Sequence, residues 1–383
     1  MKNAYNQAPM HLITLNTRRK TRTATIGKVK IGHQYPVAMQ SMCSTKTEDI
    51  EATVAQIHAL EAADCELIRV AVPTLEAAQA LSSIKEQISI PLVADIHFDA
   101  RLALESMDRG ADKIRINPGN IVANFNPNEK PTQTTKAQIE TLESILAKAR
   151  EKDTCIRIGV NAGSLEQDLW DKYGAPTAEA MVESALRWLK FCEDRDVSNL
   201  VISLKSSQVP TMISANEKIA SQCDVPLHLG VTEAGPKFSG SVKSAVGFGV
   251  LLKQGIGDTI RTSLSDDPIH EIEACKEILK SLKLYTKEPD IVSCPTCGRI
   301  DIDLIPLVDE VKAMVAKEGI KKDLRISVMG CVVNALGEAK EADFAIAGGR
   351  KQGNLYYKGE LYKGNIPETQ LLDEFLQLIR AKA

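Results

Sequence analysis

The sequence predicts an α/β protein, an eight-stranded (β/α)8 barrel followed by a smaller α+β domain. A strand-then-helix rhythm recurs from Val37 to about Tyr285, and alternating strands and helices imply a parallel sheet. Eight such units in roughly 250 residues match the size of a β/α barrel. The rhythm then breaks at the stretch TKEPD (286–290), and a shorter, different pattern follows. A chain of 383 residues, 44% hydrophobic and 25% charged, suits two folded domains. The expected boundaries are 1–286 and 287–383.

Short apolar runs mark the barrel strands at Val37–Met42, Glu66–Val72, Leu92–Phe98, Lys113–Asn117, Cys155–Val160, Leu200–Lys205, Leu227–Val231 and Thr259–Leu264. Between them apolar residues recur at spacings of three and four, as in Glu48–Ala62, Ala100–Arg109, Thr135–Ala149 and Ala178–Glu193, which predicts helices. Pro91, Gly110, Pro226 and Gly257 punctuate returns to a strand. Residues 23–36 (TATIGKVKIGHQYP) read as a small hairpin capping the barrel, and the Asn- and Pro-rich stretch Asn120–Pro131 as a long loop. A doubly wound open sheet is the competing fold. It calls for a Gly-rich phosphate loop after the first strand, where this chain has MQSMCSTKTEDI. Past the linker, a helix is expected near Leu304–Lys317 and strands at Leu324–Met329 and Phe344–Ala347. A hairpin near Leu355–Tyr362 and a last helix from about Glu368 complete the α+β domain.

Composition narrows the function. The net charge of −3 and 4% aromatic content argue against a nucleic-acid binder, so any basic site must be local. No apolar run is long enough to span a membrane, and the first residues lack a signal-peptide core, which points to the cytoplasm. Nine cysteines in such a setting favour free thiols and metal ligands over disulfides.

Five strands carry one cation each near the C-terminal end: Arg69, Arg115, Arg157, Lys205 and Arg261. Strand alternation puts Arg115 with Asn117, Arg157 with Asn161, Lys205 with Ser203, Arg261 with Ser263 and Asp95 with His97 on common faces. Active sites of this fold lie at that end, and arginine suits bidentate contact with phosphate. A substrate with more than one phosphate is the expectation. Salt bridges to local carboxylates are the competing explanation, with Asp95 and Glu233 the obvious acids near the strand ends. His97 and His228 each fit either an acid–base role or an ordinary core position.

In the second domain, Cys294-Pro-Thr-Cys297 is followed by Met329-Gly-Cys331-Val-Val-Asn334. Three thiols with no second C-x-x-C, and no histidine beyond His270, suit a cluster with one ligand of another kind. Glu338 is the nearest oxygen donor. Spacing alone also leaves open half a zinc site or a redox-active thiol pair. Most of the other cysteines read as small buried hydrophobes, with Cys43, at a strand end, the possible exception.

The segments QSM (40–42), VADIHFD (93–99), RINPGNI (115–121), RIGVNAGSLE (157–166), PLHLGVTEAG (226–235), GIGDTIR (255–261), SCPTCGR (293–299) and GCVVNALGEA (330–339) run in order along nearly the whole chain. With these the chain resembles the 4-hydroxy-3-methylbut-2-enyl diphosphate synthase family, in its two-domain bacterial form. The resemblance implies a [4Fe–4S] cluster on Cys294, Cys297, Cys331 and Glu338. It implies binding of 2-C-methyl-D-erythritol 2,4-cyclodiphosphate in a TIM barrel. Reductive ring opening with loss of water would give (E)-4-hydroxy-3-methylbut-2-enyl diphosphate. It further implies reduced flavodoxin or ferredoxin as electron donor, and a homodimer in which the cluster domain of one subunit closes over the barrel mouth of the other. Arg69, Arg115, Arg157, Asn161, Lys205, Arg261, Ser263 and Asn334 are the expected substrate contacts. Glu233 is the candidate proton donor, with His97 and Asp95 orienting or relaying. The family has Gly-Pro where Ala335-Leu336 stand here, so an altered turn between Asn334 and Glu338 is expected.

Overall fold

The computed structural model describes residues 18–97, 99–121, 136–320 and 322–382. The chain divides between Leu284 and Tyr285 into two compact units. Most of the Asn- and Pro-rich loop expected at Asn120–Pro131, the first 17 residues and Phe98 lie outside the described residues. No helix among the described residues is long and apolar enough to cross a membrane.

The first unit begins with an antiparallel hairpin, β1 (Ala24–Ile26) and β2 (Val29–Ile31). The barrel strands follow as β3 (Ala38–Met42), β4 (Leu67–Ala71), β5 (Leu92–Asp95) and β6 (Lys113–Ile116), then β7 (Cys155–Asn161), β8 (Leu200–Lys205), β9 (His228–Leu229) and β10 (Thr259–Ile260). They form one parallel sheet in the order β8-β7-β6-β5-β4-β3-β10-β9. A parallel bridge between Ile202 and Leu227 joins its two ends into a ring. Helices begin where Asp49, Thr74, Asp99 and Thr177 cap their first turns with side-chain oxygens. Hairpin residues Ala24, Ile26 and Ile31 pack against Ala38, Leu67, Cys155 and Val201, sealing the N-terminal end of the barrel.

Strands β9 and β10 are two residues each, shorter than the runs that predict them. Beyond them the backbone finds partners outside the ladder. Thr232 N–H donates to the Ser206 carbonyl, Ser265 N–H to the Gly235 carbonyl, and Leu264 N–H to the Glu271 carboxylate.

The register fixes what fills the barrel. In this fold side chains from alternate strands stack in layers of four. Following the paired residues around the ring puts Gln40, Val93, Arg157 and His228 in one layer, from β3, β5, β7 and β9. The next layer toward the C-terminal end holds Arg69, Arg115, Ser203 and Arg261. Layers of this fold are ordinarily branched aliphatics; here the first holds one arginine among polar and apolar residues, and the second holds three arginines.

The second unit is a five-stranded sheet in the order β11 (Asp290–Ser293), β12 (Arg325–Met329), β13 (Phe344–Gly349), β14 (Gln352–Tyr357) and β15 (Glu360–Pro367). The first three strands are parallel and the last three antiparallel. Helices Leu304–Lys317 and Leu371–Lys382 cover one face through Val311, Phe344, Phe375 and their neighbours. A helix over Val332–Glu341 covers the other through Ala335 and Ala339.

Two features of this unit differ from the sequence expectation. The residues at Asp290, expected to end a linker, open strand β11. Where an altered turn was expected between Asn334 and Glu338 the chain is helical. Ala335, where the family has glycine, packs against the sheet at 2% exposure, while Leu336, where the family has proline, is exposed.

Candidate functional site

The C-terminal mouth of the barrel is a field of buried charge. Asp95 sits among three partners: Arg69 Nε lies 3.9 Å from Oδ2, Arg115 Nη1 3.5 Å from Oδ1, and His97 Nε2 3.2 Å from Oδ2. Burial alone would raise the Asp95 carboxyl, but Arg69, the His97 hydrogen bond and Arg115 together hold it well below the ordinary carboxylate range. It is therefore a fixed anion, unsuited to donating a proton near neutral pH.

The His97 ring is placed from two sides. Nε2 is also 3.1 Å from Arg115 Nη1, while Nδ1 lies 3.4 Å from Asn120 Nδ2. A proton on Nε2 allows donation to Asp95; without it Nε2 accepts from Arg115. The ring therefore has a polar neighbour on each nitrogen.

Two glycines make room for the long cations. A Cβ at Gly159 would stand 2.5 Å from Arg115 Nε, and one at Gly230 would stand 2.5 Å from Lys205 Nζ. The Arg69 guanidinium lies 2.7 Å from Met42 Sδ. Burial lowers its pKa to about 10.

Arg261 has a full counterion. Glu271, in the first turn of helix Ile269–Ser281, accepts from Arg261 Nη2 at 2.7 Å and from Nε at 3.0 Å. Arg261 therefore has a counterion within the protein, and that partner is neither Asp95 nor Glu233. Arg157 and Lys205 differ. Among the described residues neither forms an ion pair, and Arg157 Nε and Nη1 are buried without a hydrogen-bond partner. Burial, then the neighbouring cations, pull both below their ordinary ranges. Unpaired buried cations are costly, and an anion seated in the mouth is what would offset them.

Below this layer lies a cation that sequence reading overlooked. Lys113 is fully buried and donates to Gln40 Oε1 at 3.0 Å. Burial and then Arg157 lower its pKa to about 7. His228 occupies a core position, with Nδ1 2.6 Å from Thr259 Oγ1.

Of the remaining expected residues, Asn161 closes β7 and Ser263 follows β10, both half-buried at the mouth end. Glu233 is exposed on the loop after β9 with a left-handed backbone, φ 52°. Such a conformation in a residue other than glycine costs about 1–3 kcal/mol and is concentrated at functional sites. Cys43 is buried, and burial pushes its thiol up to about 12, which makes it inert.

Two of the three clustered cysteines of the second unit follow neighbouring parallel strands at their C-terminal ends. Cys294 follows β11 and Cys331 follows β12, the parallel neighbour. Gly330 N–H donates to Cys294 Sγ at 3.2 Å. Cys297 is exposed in the turn between them. That turn packs closely, since a Cβ at Gly330 would stand 2.1 Å from Ile300 Cγ2. Cys331 is the N-cap of helix Val332–Glu341.

Asn334 is exposed in the first turn of that helix. Glu338 lies two turns along it, about 10 Å from Cys331 at 1.5 Å per residue. Its Oε2 is 3.3 Å from Arg325 Nη2. Arg325 opens β12, so this ion pair lies at the end of that strand away from Cys331. Among the described residues no three His, Cys, Asp or Glu converge as a single ion would need. By the chemistry of the donor set, three thiols and a carboxylate on this unit fit an iron–sulfur cluster, for which thiolate is the usual holder.

Comparison with known proteins agrees along the chain. The family model described as GcpE TIM-barrel domain matches residues 21–276, and GcpE protein C-terminal domain matches 290–381. A protein of Halalkalibacterium halodurans named 4-hydroxy-3-methylbut-2-en-1-yl diphosphate synthase (flavodoxin) is 49% identical over 357 residues, covering 93% of this chain and 92% of its own. The Anoxybacillus flavithermus protein of the same name is 48% identical, covering 93% of each chain. That of Bacillus subtilis is 47% identical over 365 residues, covering 95% of this chain and 92% of its own.

Proposed function

This chain belongs to the GcpE family, and we infer from that membership and from the cation-lined mouth that it is the oxidoreductase making (E)-4-hydroxy-3-methylbut-2-enyl diphosphate for isoprenoid synthesis. The substrate is 2-C-methyl-D-erythritol 2,4-cyclodiphosphate, opened by two-electron reduction with loss of water. The observation that carries the substrate class is the pair of buried cations, Arg157 and Lys205, that form no ion pair among the described residues. A diphosphate supplies the missing charge.

In this account Arg157, Lys205 and Arg261 hold phosphoryl oxygens, and preorganised donors stabilise the charge that develops on the diphosphate as the ring opens. Arg69 and Arg115 flank them, held by Asp95. Asn161 and Ser263 lie at the same end of the barrel, and Asn334 is a further proposed substrate contact. Glu233 gives a proton to the departing hydroxyl, and His97 orients or relays through Nε2. Cys294, Cys297, Cys331 and Glu338 are suited to hold a [4Fe–4S] cluster, which when bound supplies electrons singly. Reduced flavodoxin, named for the relatives, or a ferredoxin would deliver them. A zinc-bearing lyase would share the anion site but would need no electron carrier.

The enzyme is proposed to act in the cytoplasm, in keeping with nine cysteines that are all free thiols, and as a homodimer. An exposed apolar stripe on helix Lys237–Lys253 supports self-association. Phe238, 84% exposed, stands in line with Val242, Val246 and Val250. Lys237 and Glu273, ion-paired at 3.4 Å, border it in the groove toward helix Ile269–Ser281.

The test is anaerobic turnover of the cyclodiphosphate by reconstituted protein with reduced flavodoxin. The enyl diphosphate should form with consumption of two electrons per molecule. Binding of the cyclodiphosphate without any reduction would contradict the reductase assignment.

A further inference from the structure

We propose that Glu271 is a positioning residue for substrate binding, acting through Arg261. The proposal rests on the diphosphate-binding function given above. Glu271 is 2% exposed and belongs to a helix outside the barrel, yet its carboxylate reaches the rim. Oε1 accepts from Arg261 Nη2 (2.7 Å) and from Leu264 N–H (3.2 Å). Oε2 accepts from Arg261 Nε (3.0 Å) and from Ser41 Oγ (2.8 Å). Its backbone carbonyl accepts from Thr262 Oγ1 at 2.8 Å.

A carboxylate has about four lone-pair sites, and all are taken. Glu271 therefore has no capacity left to touch a ligand or move a proton. What it does is fix a direction. The two-point contact grips the Nε/Nη2 edge of the guanidinium and leaves Nη1 for the mouth. The need arises from the short strand. β10 pairs with β3 only through Thr259–Ala38 and Ile260–Met39, so the ladder ends before Arg261. Ser41 lies on β3 and Leu264 on the loop past β10, so Glu271 ties both sides of that seam to the arginine it aims.

The test compares wild type, Glu271→Gln, Arg261→Met and the double variant. Each is assayed for cyclodiphosphate turnover and for binding of inorganic pyrophosphate by calorimetry, with the thermal midpoint recorded. Glu271→Gln should raise KM, and the pyrophosphate Kd, by about tenfold, with kcat within about threefold, the loss typical of one charged hydrogen-bond pair. In the Arg261→Met background the same change should add no more than about twofold, because coupled residues are not additive. A full tenfold effect in that background, or an unchanged KM in Glu271→Gln, overturns the proposal. If Glu271→Gln does not fold, Ser41→Ala loosens the carboxylate while keeping its charge. It should raise both constants about threefold, the weight of a weaker neutral donor, and unchanged constants overturn the proposal as well. Pyrophosphate binding separates the two claims: if wild type binds pyrophosphate but does not reduce the cyclodiphosphate, the reductase assignment fails while the role of Glu271 is still read.

Discussion

Arg157→Met is expected to lower kcat/KM for the cyclodiphosphate by about a hundredfold, the scale of a lost charge-assisted contact in a dry site, without destabilising the free protein. The two halves share one cause. Arg157 is 1% exposed, has two orphaned nitrogens, and feels Arg69, Arg115 and Arg261 against the single nearby carboxylate of Asp95. Its charge is unfavourable in the empty barrel and favourable only beside an anion. Methionine keeps much of the stem's volume, and replacing buried charge by packed apolar groups stabilises proteins by about 1–4 kcal/mol in favourable cases. The thermal midpoint without ligand should therefore hold or rise, while the upward shift produced by pyrophosphate should shrink. A midpoint that falls by many degrees would mean that Arg157 is a structural element of the core and not a ligand site.

The second large effect is expected at Glu233. Glu233→Gln should lower kcat by about a hundredfold to ten-thousandfold, the range of a lost general acid, with KM nearly unchanged. Glutamine preserves the shape and the left-handed backbone at φ 52°, so only the transferable proton is removed. Asp95 cannot take over, because its three cationic and hydrogen-bonding partners keep it ionised. Single-turnover measurement with pre-reduced protein checks whether the loss lies in chemistry. Full turnover by Glu233→Gln would remove it from the role.

Strands buried on both faces read as continuous apolar runs, and this is why all eight barrel strands were legible. The same background exposed the cations, since an arginine inside LIRVAV or CIRIGV has no ordinary reason to be there. Lys113 escaped notice because it opens its strand, where a lysine reads as a surface residue; the layer that buries it exists only once the ring is closed. Glu271 escaped for a different reason. It reaches the mouth from a helix, and alternation along a strand carries no information about the helix packed outside it. In the second unit, spacing located Cys294, Cys297 and Cys331, but β11 has only Ile291 and Val292 between polar ends, and all four of its residues are partly or fully exposed. Helix Val332–Glu341 was hidden by Asn334 and Gly337, both poor helix formers, until packing of Ala335 and Ala339 on the sheet revealed its period.

The central claim is a redox enzyme built from a phosphate-binding barrel and a cysteine-held cluster. It is tested most directly by purifying the protein without oxygen, analysing iron and sulfide, and recording EPR after reduction. A brown protein with about four irons and four sulfides per chain and a reduced-cluster signal, as a [4Fe–4S] site requires, is the predicted result. Zinc in place of iron after careful anaerobic reconstitution, with no visible absorption, would contradict it.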